Sequence, residues 1–249
     1  MKQVIKEKLK KMPLMLHVAQ KINRFLFPVE LGLSEKLQQD IFKKLKHKNN
    51  VFFVQVGSND GVQGDPLHDL IVNNNEWRGV FIEPVGFLFE RLKKNYGNFN
   101  RYIYENSAIA AEAKELDFYY VSEKAKVELG DQLPFWYDQL GSFDRSHIVK
   151  HLDGALEPYI YSQKINAVPL SDVLTKHQVE VVDLVHIDTE GYDYKVLSTI
   201  DFARYKPSVI LYEHKHLSES EHKLARSLLM EKGYKCSEYG SDTLATIEK

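Results

Sequence analysis

Two hydrophobic periodicities divide the chain. Before residue 50, Leu33, Leu37, Ile41 and Leu45 recur every four positions with lysines and glutamines between them, which predicts a helix. Ser34 reads as its cap, and Lys46 to Asn50 as the polar break that follows. From residue 51 the pattern becomes short apolar runs rich in β-branched and aromatic residues, at 51–56, 79–83, 101–104, 181–188 and 208–212. Runs without a polar face suit strands covered on both sides, as in a parallel sheet. Helical stretches fit between them, at about 64–75, 85–96, 170–178, 191–200 and 218–232. Strand and helix in alternation predict a mostly parallel α/β sheet with right-handed crossovers.

Residues 110–170 break the alternation. Strands are expected at 117–122 and 165–168, with turn-rich sequence between them that carries Phe135, Trp136, Tyr137, Phe143, Tyr159 and Tyr161. This reads as an insertion beside a cleft. At the end, 234–239 and 243–247 flank Gly240-Ser241-Asp242, a hairpin signal. The expected division is a helical cap at 1–49 and a Rossmann-like domain at 50–249.

Composition narrows the function classes. Of 249 residues, 43% are hydrophobic and 27% charged, the balance of a soluble globular protein. The net charge of −2 gives no field that would draw nucleic acid. A single cysteine, Cys236, excludes an internal disulfide and a thiolate zinc site, and fits a reducing, cytoplasmic setting. No apolar run approaches the roughly 18 residues of a membrane span. The basic N-terminus, with Lys2, Lys6, Lys8, Lys10 and Lys11, leads into an apolar-rich stretch from Met12 to Phe27. It reads as a helix capping the domain, ahead of one touching a membrane or a partner.

Open α/β sheets bind ligands at the carboxyl ends of their strands, where the strand order reverses. The first strand here ends in Gly57-Ser58-Asn59-Asp60-Gly61, and the two glycines allow a sharp turn and close approach to a ligand. Glu83 ends the second strand, where a carboxylate can accept both hydrogen bonds of a ribose diol. Ser107 and Ala108 follow the third, where an adenine ring would lie. Dinucleotide sites want G-x-G-x-x-G to seat a pyrophosphate. Here the spacing is G-x-x-x-G with Asp60 inside it, which suits a cationic sulfonium instead.

Four segments carry a resemblance: Val54 to Gly61, Val80-Phe81-Ile82-Glu83-Pro84, Asn106-Ser107-Ala108-Ile109, and Val185 to Asp193 with its I-D-x-E-G core. Together they make the chain, over roughly residues 50–247, resemble the FkbM family of methyltransferases. The resemblance implies a class I fold whose last strand is antiparallel, and S-adenosylmethionine as cofactor. It also implies methyl transfer, usually to a hydroxyl oxygen of a sugar, polyketide or other small metabolite, with peptides as acceptors for some similar enzymes. The cofactor residues it implies are Gln55, Gly57, Ser58, Asn59, Gly61, Glu83, Pro84, Ser107, Ala108 and Asp188. Such families commonly carry an acid where this chain has Gln55, and Asp60 or Asp188 is the expected compensation.

A neutral hydroxyl acceptor needs a base, or a metal that lowers its pKa; a carboxylate acceptor needs neither. Asp188, Glu190 and His214 are the catalytic candidates, with Glu213 a further acid. Asp188, Glu190 and Asp193 could offer oxygen ligands to a divalent cation, although their spacing matches no dedicated cation loop and no metal is expected. His216 reads as an exposed loop histidine and His186 as a satisfied core histidine. On the insertion, Ser142, Phe143 and His147 are candidates for holding the acceptor, beside Arg145. The alternatives carried forward are carboxyl methylation of a peptide and a non-catalytic interaction module. A homodimer is left open.

Overall fold

The computed structural model describes residues 28–134 and 136–247. The basic N-terminal stretch and Phe135 lie outside these. The first helix, α1, runs Pro28–Leu45. Ser34 lies within it rather than at its cap: the turns before Ser34 are already helical, so its hydroxyl has no helix end to close.

Seven strands form the main sheet: β1 Phe52–Val56, β2 Arg78–Ile82, β3 Tyr102–Glu105, β7 Leu184–Ile187, β8 Val209–Glu213, β9 Tyr234–Tyr239 and β10 Asp242–Ile247. Their order is β3-β2-β1-β7-β8-β10-β9. β1 pairs in parallel with both β2 and β7, and β8 continues the parallel set, whereas β10 runs antiparallel between β8 and β9. This is the class I methyltransferase-like α/β arrangement. The chain winds outward from β1 to β3 and then returns to start again at β7, so the order reverses between β1 and β7, and the ligand crevice of such a sheet opens there.

The sheet alternates its side chains between two buried faces, which explains the continuous apolar runs. Val54, Val56, Ile82, Val185, Ile187 and Ile210 join one core with helices α6 Leu170–Lys176, α7 Asp193–Ser198 and α8 Glu219–Glu231. Phe53, Phe81, Tyr102, Leu184 and Leu211 join the other, packed by α1, α2 His68–Asn73 and α3 Gly86–Tyr96. In α1 the four-residue spacing holds for three of its four positions: Leu37, Ile41 and Leu45 are buried on this face, and Leu33 is half-buried. Ser218 opens α8 with a reciprocal capping box to Glu221.

The described residues divide into two compact units, one of residues 36–116 and 164–247, the other of 28–35, 117–134 and 136–163. It passes between them within strands β5 Lys114–Val121 and β6 Ile160–Val168. The stretch that broke the alternation has its own core of Val121, Leu129, Tyr137, Ile148, Leu156 and Tyr159 around helices α4 Lys124–Leu129 and α5 Arg145–Lys150. In the sheet-bearing unit, the short β4 Ala108–Ile109 pairs with the end of β6. None of the described helices is long and apolar enough to cross a membrane.

Candidate functional site

The loop after β1 is built to bend. Gly57 and Gly61 have φ of 78° and 75°, and Asn59 adopts 50°, a left-handed conformation that asparagine tolerates better than most residues. Both glycines answer the protein's own packing. A Cβ on Gly57 would fall 1.7 Å from the Asp188 carbonyl oxygen, and one on Gly61 would strike Tyr96 and Leu92. The loop then ties itself down. Ser58 donates through Oγ to the Gln55 carbonyl at 3.1 Å, and the Asp60 carboxylate accepts from the Val62 and Gln63 amides at 2.9 Å each.

Glu83 joins this loop to the end of β2. It is 4% exposed, and its carboxylate accepts from the Asn59 amide through Oε2 and from the Val85 amide through Oε1, both at 2.8 Å. Burial outweighs those bonds and raises its pKa to about 7. Asn106 braces the same corner, donating to the Glu83 and Pro84 carbonyls at 2.8 and 3.2 Å. Ser107 and Ala108 follow, both buried, and the Ser107 hydroxyl has no hydrogen-bond partner.

Across the β1/β7 switch point lies a set of carboxylates that only partly matches the expected one. Asp188 follows β7, and its pKa is held well above the usual carboxylate range by burial and by the negative charges of Glu213, Glu190, Asp193 and Asp242. Asp193 is fully buried and accepts from the Thr189 and Gly191 amides, so its oxygens hold the turn together. Burial lifts its pKa to about 7 and that of Asp242 to about 6, while Glu213 is raised by burial and then by Glu190. Glu213 and Asp242 meet because they are directly opposite in the antiparallel β8/β10 register.

The histidines exchange the places that spacing suggests. His216, expected to be exposed, has a side chain only 17% exposed, with Nε2 3.3 Å from Glu190 Oε2 and 3.8 Å from Glu213 Oε2. His214 turns toward α8 and β10: Nδ1 lies 2.9 Å from Thr243 Oγ1, and its ring stacks on His222 at 4.5 Å. Burial lowers its pKa. His186 is buried within β7 and held neutral, its pKa pushed down to about 4.

Ser142, Phe143 and His147 lie in the other unit. There Ser142 exchanges two backbone hydrogen bonds with Tyr119, Phe143 packs edge-on against Phe118, and His147 lies on α5 with its ring 5.0 Å from His151. Arg145 pairs with Glu157 at 3.1 Å. The structure therefore brings together Gln55, Gly57, Ser58, Asn59, Gly61, Glu83 and Asp188 at the carboxyl ends of β1, β2 and β7, with Pro84, Ser107 and Ala108 continuing along the same unit. It adds Asp242, which the sequence did not mark, and His216, which the sequence placed in an exposed loop.

The family model of the methyltransferase FkbM domain matches residues 55–236. No curated protein sequence matches the chain. Among solved structures, an N-terminally shortened METTL16 methyltransferase domain is 10% identical with a TM-score of 0.46, over 94% of this chain and 95% of that one. A ribosomal protein L11 methylase from Lactobacillus delbrueckii subsp. bulgaricus is 8% identical with a TM-score of 0.43, over 87% and 78%. Aeropyrum pernix fibrillarin with natively bound S-adenosyl-L-methionine is 10% identical with a TM-score of 0.39, over 80% and 66%. These likenesses are distant, and the strand order defines the fold without them.

Proposed function

The chain belongs to the FkbM methyltransferase domain family, a family that uses S-adenosylmethionine, and we propose that it methylates a hydroxyl oxygen of a small acceptor. The residues at the switch point suit that cofactor. Two of the four acceptor positions on the Glu83 carboxylate are taken by backbone amides, which leaves two for a ribose diol. The Ser107 hydroxyl and the Gln55 side-chain oxygen are buried polar atoms with no protein partner. The acids Asp188, Glu213 and Asp242, at the loop edge of the same sheet, suit a sulfonium and an ammonium group.

The bound cofactor supplies an electrophilic methyl group, and the chain's own residues supply position and proton control. Glu83 would hold the ribose, with Asn59 and Val85 fixing its carboxylate. Asp188 and its neighbours would set a negative field at the sulfonium. His216 would take the hydroxyl proton as methyl transfer proceeds: the negative charge on Glu190, 3.3 Å away, favours the imidazolium that a base becomes. That arrangement, one imidazole 3.3 Å from Glu190 and 3.8 Å from Glu213, is the observation that carries the hydroxyl reading. A carboxylate acceptor would need no base, and would bring a further negative charge toward Asp188, Glu190, Glu213 and Asp242.

The test uses methyl-labelled S-adenosylmethionine and an extract of small metabolites. Transferred label that survives mild alkali but is released as iodomethane by hot hydriodic acid marks an ether and supports the proposal, whereas label that survives both marks a carbon–methyl bond and contradicts it. Label released as methanol marks an ester, and would replace hydroxyl transfer by carboxyl transfer.

A further inference from the structure

Glu190 adopts φ of 52°, a left-handed backbone conformation that a glutamate has no side-chain reason to prefer. Such a conformation persists where the surroundings impose it. One side chain spans the turn. The Asp193 carboxylate is fully buried and brackets Glu190: Oδ1 accepts from the Thr189 amide before it at 3.3 Å, and Oδ2 from the Gly191 amide after it at 3.2 Å. The Tyr192 amide closes the same turn on the Thr189 carbonyl at 3.2 Å.

The turn is seated against the segment that carries His216. Gly191 has φ of 97°, and a Cβ on it would fall 3.1 Å from the His216 carbonyl oxygen and 3.5 Å from the His216 Cβ. Glycine at 191 therefore lets the two backbones touch. One residue earlier, the Glu190 carboxylate reaches the ring, with Oε2 3.3 Å from His216 Nε2. Glu213 Oε2 also faces that nitrogen, at 3.8 Å, and Asp188, Asp242 and Lys215 stand within electrostatic reach of Glu213. The Glu190 and His216 side chains are each only 17% exposed, so water and salt screen the pair weakly and its geometry governs how strongly the ring holds a proton.

We propose that Asp193 is a positioning residue for the base: by clamping the amides on both sides of Glu190 it holds that residue in its left-handed conformation, and so keeps the Glu190 carboxylate against the His216 ring. This rests on the reading of His216 as the base. Asp193 is also the first residue of α7, where a negative charge favours the helix N-terminus. A residue with that role alone would stabilise the fold without touching His216.

The test reads the ring itself, by NMR titration of His216 in the ligand-free full chain, its signal assigned by its loss in His216→Ala. Glu190→Gln is expected to lower the titration midpoint by about one unit, the effect of removing a facing charge. Asp193→Asn is expected to lower it by a similar amount, because an amide NH2 cannot accept and the turn then releases Glu190. The double variant should fall no further than Glu190→Gln alone, since both changes break one contact. Gly191→Ala leaves every charge in place and moves the turn off His216, so it should lower the midpoint by about half a unit or more, and it serves as the test should Asp193→Asn fail to fold. An Asp193→Asn chain that melts earlier with His216 unmoved would make Asp193 a helix brace. A double variant shifted by about twice the single change would make it a charge acting on its own. Either result overturns the proposal, as does an unchanged midpoint in Glu190→Gln or Gly191→Ala. Neither cofactor nor acceptor enters the titration, so a failure here is told apart from a failure of hydroxyl transfer in the labelling experiment.

Discussion

Gly57 and Asp188 meet backbone to backbone: a methyl group at residue 57 would sit 1.7 Å from the Asp188 carbonyl oxygen. The contact bridges the two strands at which the sheet reverses its order, so the Gly57 loop and the Asp188 turn are placed by one another. Gly57→Ala must therefore push them apart while also forcing alanine into φ near 78°. The expected cost is about 3 kcal/mol or more in chemical denaturation, since neither the clash nor the strain has a cheap escape. A shift below about 1 kcal/mol would show that the two loops are independent.

The buried acids predict an unusual pH dependence of stability. Glu83 and Asp193 have folded-state pKa values raised to about 7 and Asp242 to about 6, above their ordinary values near 4. Between those limits the folded state binds more protons than the unfolded one, so stability falls as pH rises from about 4.5 to about 7. The ligand-free chain should melt at a higher temperature at pH 5 than at pH 8. Glu83→Gln should flatten part of that slope. A melting temperature that rises over the same interval would contradict the raised values.

The same acids should distinguish substrate cofactor from product. S-adenosylmethionine carries a sulfonium charge that S-adenosylhomocysteine lacks. A cation beside Asp188, Glu213 and Asp242 favours their ionised forms, so its binding releases protons near neutral pH. The ratio of the two affinities should move toward S-adenosylmethionine between pH 6 and pH 9, roughly tenfold in all. Calorimetry in buffers of different ionisation enthalpy reads the proton release directly. A ratio constant with pH would place the sulfonium away from the acids.

His216 and His214 should part company in kinetics. Removing a general base costs roughly 10²–10⁴ in rate, so His216→Ala should lower kcat within that range and leave the S-adenosylhomocysteine affinity within a few-fold. His214 is engaged with Thr243 and stacked on His222, so His214→Ala should act on melting temperature rather than on kcat. The reverse pattern would return the base to His214.

The sheet was legible because its parallel strands are buried on both faces and its helices keep their apolar spacing. The run at 51–56 contains the strand Phe52–Val56, and the Leu33, Leu37, Ile41, Leu45 series holds from Leu37 onward. The limits of the first helix were less legible, since Ser34 has the chemistry of a cap but lies inside a helix that begins at Pro28. The positions of Gly57, Glu83 and Asp188 at the carboxyl edge of the sheet were legible, since each follows a strand. Asp242 was not, and His216 was read as exposed. Asp242 reaches the site only through the β8/β10 register, which sets it opposite Glu213. His216 and His214 are two residues apart on a turn, and no periodicity tells which ring faces Glu190.

The account stands most directly on Glu83 as the ribose anchor of an S-adenosylmethionine site. Calorimetric titration of S-adenosylhomocysteine into the chain and into Glu83→Ala tests it in one experiment. The expected result is saturable binding by the unsubstituted chain, weakened tenfold or more by the substitution, as the loss of two hydrogen bonds to a buried carboxylate requires. Saturable binding that Glu83→Ala leaves unchanged, or no binding by either, would contradict it.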